Sequence, residues 1–208
     1  MSGNNYLIIG SGRSILDYKE DILEYVKINK PVTIGINKMT SLLTPDFHVW
    51  TNKKQWTHLG LCHNADASRL IIGESIPDKL VKKHHKDKYR RLYYKDKPEH
   101  DTIIERERIE GYFRTAGVLS IALAWSMGAE TIHVVGMDGY TFRSEKDLRN
   151  KKTGQHAYGK GFTDDKNWNE CLHKDDIVDA ALGRLKDYGV NFSLITPTKF
   201  NSYYEKIL

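Results

Sequence analysis

The chain has 208 residues, 39% of them hydrophobic and 28% charged, which suits one large folded domain and argues against wholesale disorder. Its formal net charge of +5 is concentrated: residues 79–97 hold nine basic side chains and two acidic ones, so the remainder of the chain is slightly acidic. A uniformly basic protein that coats nucleic acid is therefore disfavoured.

The first predicted element is the apolar run 6–9, which ends in Gly10-Ser11-Gly12-Arg13-Ser14. Helical spacing over 15–28 follows, giving the order strand, glycine turn, helix. Pro31 stops that helix, and the β-branched run Val32–Ile36 is a second strand with Asn37 at its end. Phe47–Trp50, closed by Thr51 and Asn52, is a third strand, and residues 69–72 are a fourth. The basic segment 79–97 reads as a solvated helix face, with His84 and His85 at the surface. An Ala-, Leu- and Ile-rich helix is predicted over 115–127 with Gly128 as its stop, then a strand over Thr131–Val135. Residues 141–172 show little apolar periodicity and are expected to form a lid. A helix over 175–188, a strand over 190–195 and a short terminal helix over 200–208 complete the chain.

Strands that alternate with helices imply an α/β fold: a doubly wound, mainly parallel, Rossmann-like sheet in one domain spanning 1–208. Ligands of such sheets bind beyond the C-terminal ends of the strands, where the polar residues of interest collect. Two cysteines, Cys62 and Cys171, fall in no paired motif and read as free thiols. The N-terminal residues lack a basic segment followed by a long apolar run, and no stretch approaches the length of a membrane span. The expectation is a soluble cytosolic protein for which peripheral contact with the inner face of a membrane stays open.

The glycine turn offers backbone N–H groups and a helix start to a phosphate, or is a tight β–α turn with Ser14 as its cap. It is not a Walker A loop. Asn37 and Asn52 each follow a strand, where an amide can serve a base or ribose or simply shape a turn. Arg114 fits a carboxylate, a phosphate or a surface ion pair. Asp138 suits a ribose hydroxyl, a metal or a turn, and Tyr140 suits a leaving phosphate. His173 is a candidate general base. The adjacent pairs Asp164-Asp165 and Asp175-Asp176 lack a metal-ligand spacing, so no metal site is expected. No RNA-recognition signature is present, and nucleic acid is not an expected partner.

Taken in order, these motifs resemble the bacterial sialyltransferase family that uses CMP-activated sialic acid. The resemblance rests on Gly10-Ser11-Gly12-Arg13-Ser14, Asn37, Asn52, Arg114-Thr115-Ala116-Gly117-Val118, Gly136-Met137-Asp138-Gly139-Tyr140 and His173 before a final strand and Pro197. It implies metal-independent, inverting transfer of an acidic sugar to a cell-surface glycan, with no cofactor beyond the CMP-sugar donor. In that reading Gly10, Ser11, Gly12, Ser14, Asn37, Asn52, Arg114, Thr115, Gly117 and Asp138 bind the donor. His173 takes the acceptor proton, Tyr140 and Tyr158 stabilise the departing phosphate, and residues 141–172 cover the donor. Arg13 stands where the family has proline, and Ala116 where it has serine. The glycine turn also resembles 6-hydroxymethylpterin diphosphokinases, which would imply ATP and Mg²⁺. A nucleotide-binding module without catalysis is the remaining alternative, and self-association is left open.

Overall fold

The computed structural model describes residues 4–38, 42–59, 69–143, 156–157 and 167–208. Seven parallel strands form the main sheet, in the order β10-β9-β1-β2-β3-β4-β5. They are β1 (Asn5–Ile9), β2 (Val32–Ile36), β3 (Phe47–Trp50), β4 (Arg69–Gly73), β5 (Arg90–Leu92), β9 (Thr131–Val135) and β10 (Phe192–Leu194). Between β5 and β9 a small three-stranded sheet is built from β6 (Lys95–Asp96), β7 (Ile103–Ile104) and β8 (Ile109–Gly111). The fold is α/β, doubly wound and Rossmann-like. The chain moves outward from β1 to β5 and then returns to β9 on the other side of β1, so the strand order reverses at the β1–β9 pair.

Period-two side-chain placement divides the core. Tyr6 and Ile8 of β1 point to the face covered by α5 (Ala116–Ser126) and α6 (Trp168–Asp187), together with Ile34, Ile132 and Val134. Leu7 and Ile9 point to the other face, against Ile15 of α1 (Ser14–Asp17) and Ile22 and Tyr25 of α2 (Lys19–Asn29). A third cluster joins Trp50 to Trp56 of α3 (Lys53–Leu59) and Val81 of α4 (Asp78–Val81). The two tryptophan rings meet edge to face with centroids 5.2 Å apart. The sheet is therefore covered on both faces, as parallel sheets require.

Several boundaries differ from the sequence expectation, each for a local reason. The helix expected over 15–28 splits at Tyr18, whose φ of −111° and ψ of 26° leave the helical region. The last long helix starts at Trp168, seven residues earlier than predicted. Asn167 caps it by accepting from Glu170 N at 2.9 Å, so residues 168–172 are helix rather than lid. The C-terminal helix is only a 3₁₀ turn, Asn201–Tyr203, after which Tyr204 bridges to Leu194.

The basic segment is not a helix face. Only Asp78–Val81 is helical, and the chain then runs through β5 at the sheet edge. Its bases divide into two groups. Arg91 is structural, donating to the carbonyls of Gly73 and Ile76 and pairing with Asp78, and Lys95 pairs with Glu110. Lys79, Lys82, Lys83, Lys86, Lys88, Arg90 and Lys97 are exposed, the last with its Nζ 3.9 Å from Glu99 Oε1. The two histidines placed at the surface by sequence are drawn inward: His85 is buried, and the half-buried His84 packs edge-on to Trp56 with centroids 5.7 Å apart. Cys171 is a buried thiol, and Cys62 lies outside the described residues. Among the described residues no helix is long and apolar enough to cross a membrane.

Candidate functional site

The glycine turn is shaped first by its neighbour strand. Gly10 N donates to the Val135 carbonyl and Gly12 N to the Gly136 carbonyl, each at 2.8 Å. A Cβ on Gly10 would run into the Gly136 carbonyl. One on Gly12 would lie 2.5 Å from the Asp138 carboxylate and 2.6 Å from that same carbonyl. Asp138 is buried and accepts from Ser14 N at 2.8 Å and from Ser14 Oγ at 2.5 Å, while Ser14 Oγ also reaches Thr196 Oγ1 at 3.0 Å. The anion at the start of α1 is thus the protein's own carboxylate. Burial raises the Asp138 pKa, a shift opposed by the two hydrogen bonds from Ser14. Ser14 lies behind the turn, fixing it, and does not line the cleft described next.

Replacing Gly12 by Ala is expected to cost about 2–3 kcal/mol, because neither the clamped carboxylate nor the Gly136 backbone can yield. Gly183→Ala on α6, whose nearest neighbour would be Tyr203 Oη at 3.4 Å, should leave stability unchanged or slightly raised. Urea unfolding midpoints of the two variants make the comparison, and equal midpoints would contradict the crowding at Gly12.

Beyond the strand ends lies one cleft in two connected parts. The inner cavity, about 160 Å³, is bounded by Gly10, Ser11 and Gly12 on one side and by Gly117, Asp138 and Tyr140 on the other. The outer cavity, about 610 Å³, carries Lys53, Lys54, Arg114 and Lys174 against the single carboxylate of Asp96 among its described lining residues. Asn37, Gln55, Thr115, Tyr140 and His156 border both. Among these described residues the cations outnumber the carboxylates.

Most sequence-selected side chains reach this cleft, and several are also tied down locally. Asn37 sits in the left-handed region, φ 47°, where asparagine is better tolerated than most residues. Its carbonyl accepts from His48 Nε2 at 2.6 Å. Asn52 lines the outer cavity while its side chain caps α3, accepting from Gln55 N at 3.0 Å. Thr115 caps α5 through Val118 N, 3.2 Å away. Arg114 is exposed at the rim with φ 55°, a strained conformation held by Asp96, whose carboxylate accepts the Phe113 and Arg114 amides at 2.9 and 3.0 Å.

Tyr140 presents its ring beneath Lys174, with Nζ 4.7 Å from the centroid. Desolvation of the hydroxyl, reinforced by Asp175 and Cys171, pushes its pKa up to about 12, so it remains a neutral donor. Its backbone is placed by the buried carboxylate of Asp175, which accepts from Tyr140 N at 2.6 Å and from Thr141 N at 2.8 Å. Asp175 is thereby a turn clamp. The partner pair Asp164-Asp165 and the expected second tyrosine, Tyr158, lie outside the described residues.

His173 is exposed on α6 and borders neither part of the cleft. Among the described residues the histidine that does border it is His156, which sequence reasoning left unremarked within 141–172. Gln55, Lys53, Lys54 and Lys174 were also missed. The Asn52 cap was the available signal for the first three, since it announces a helix start at the end of β3.

No protein-family model matches this chain, and a search of the curated proteins finds no match.

Proposed function

We propose that the chain is a glycosyltransferase-like enzyme that moves a sugar, sialic-acid-like or otherwise acidic, from a CMP-activated donor to a glycan hydroxyl. The observation that carries this reading is the convergence of four separate stretches on one cleft: residues 10–12, Asn37, 114–117 and 138–140. The reversal of strand order at β1 and β9 supports a nucleotide ligand there. An outer part rimmed by lysines and arginine suits a phosphate-linked, acidic sugar.

The clamped Asp138 shifts the phosphate away from the start of α1, because two anions at one helix end repel. The cationic outer cavity is the alternative seat. Tyr140 donates its hydroxyl to the phosphate oxygen as charge builds there, a role suited to a phenol that stays protonated. A histidine accepts the acceptor's proton, and no metal is required for either step.

Calorimetry with CMP, AMP and GMP tests the nucleotide assignment. CMP should bind about tenfold more tightly than either purine nucleotide, equivalent to about 1.4 kcal/mol. Equal affinities would overturn the cytidine assignment, and a preference for the adenine nucleotide with strict Mg²⁺ dependence would favour a diphosphokinase-like activity.

A further inference from the structure

We infer that His156, and not His173, is the proton acceptor of the cleft, an assignment that rests on the glycosyl-transfer reading above. Three observations meet at this residue. It borders both the inner and the outer cavity, the position a base needs when donor and acceptor meet between them. Its Nδ1 is 3.4 Å from Ser11 Oγ on the glycine turn. Its backbone is fastened to that turn by an antiparallel bridge to Gly12, and Ala157 N donates to the Ser11 carbonyl at 2.8 Å. Ala157 also packs on the apolar cluster of Leu7, Ile9 and Ile15, which anchors the neighbouring imidazole. His173, by contrast, is exposed on α6 and borders neither cavity.

In the transfer step the acceptor hydroxyl oxygen forms a bond to the anomeric carbon of the donor sugar. The bond from that carbon to the CMP phosphate oxygen breaks, and its electron pair leaves with CMP. The hydroxyl proton passes to the His156 imidazole, which becomes imidazolium and returns the proton to water after the products leave. Among the described residues, the charged groups that share the cleft are Lys53, Lys54, Asp96, Arg114, Asp138 and Lys174, with the Tyr140 phenol beside them.

The test compares His156→Gln with His173→Gln. His156→Gln should lower kcat by about 100-fold or more and abolish the acidic limb of the kcat–pH profile. Its CMP affinity should stay within about threefold of the wild type, the signature of a group that acts in the chemical step. His173→Gln should keep both turnover and the acidic limb. The assignment is overturned if His173→Gln loses turnover while His156→Gln keeps it, or if His156→Gln loses CMP binding in proportion to turnover. A wild-type protein that neither binds CMP nor turns over a CMP-activated sugar would overturn the functional reading instead. The position of the ring is then judged with inorganic phosphate by proton NMR. Phosphate should shift the His156 C2–H signal and not that of His173, and an unmoved His156 signal would reject its place in the cleft.

Discussion

Asp175→Ala should destabilise the protein by about 3–5 kcal/mol, the range for removing one member of a buried charged network. The carboxylate is 2% exposed and holds the Tyr140 and Thr141 amides and Thr141 Oγ1, the last at 2.6 Å. Lys199 Nζ stands 3.5 Å from it. Truncation leaves two amides without an acceptor and Lys199 without its counter-charge. Because these contacts set the course of residues 139–141, the variant should also disturb Tyr140 and bind nucleotide less tightly. Asp175→Asn keeps an acceptor oxygen and should lie between the two. The measurement is the urea midpoint at neutral pH, and a loss below about 1 kcal/mol would mean that the turn is held by other contacts.

Acid should weaken the fold through His48. Burial holds its pKa down to about 4, and its Nε2 faces the Asn37 carbonyl, an acceptor only, so that nitrogen carries the hydrogen of a neutral ring. The unfolded chain binds the proton near 6.5, so between there and 4 the unfolded state holds more protons and stability rises with pH. The contribution is complete above 6.5 and is lost as pH falls through 4, about 3 kcal/mol in all. His133, lowered by burial and hydrogen-bonded to Tyr25 Oη at 2.5 Å, acts in the same direction. His48→Gln, which keeps a donor but does not titrate, should flatten the stability profile across this window. If the variant and the wild type lose stability in parallel on acidification, His48 is not its source.

Both predictions concern residues whose weight only the folded chain reveals. Asp175 reads in sequence as one of two adjacent helix acids, and nothing local marks it apart from Asp176. His48 lies within an apolar strand and looks like any β-strand histidine. The partner of each is remote in sequence: Asp175 meets Tyr140 and Thr141 across 34–35 positions, and His48 meets Asn37 across 11. The same holds for Asp138, whose partner Ser14 is 124 positions away and whose carboxylate fills the helix start that the glycine motif appeared to offer a phosphate.

Local information located most of the sheet. Val32–Ile36, Phe47–Trp50 and Thr131–Val135 are strands with the boundaries that their apolar, β-branched runs define. Thr115 and Gly128 frame the buried helix between them. The elements missed or misread are those whose stabilisation is not local. Among them, the short strands β6, β7 and β8 carry too few residues for a period, and the basic segment follows a sheet edge because Arg91 is drawn to the carbonyls of Gly73 and Ile76.

By itself the sequence determined an alternating α/β chain, a parallel sheet with its polar residues at the strand ends, and a charge excess confined to 79–97. Hydrophobic periodicity, glycine turns and capping residues act over a few positions, so they can be read along the chain. Only the tertiary structure decided which histidine borders the cleft, which carboxylates are spent on turns, and where the cations gather. Those outcomes depend on contacts between residues tens of positions apart, and they follow from the reversal of strand order that brings β9 beside β1.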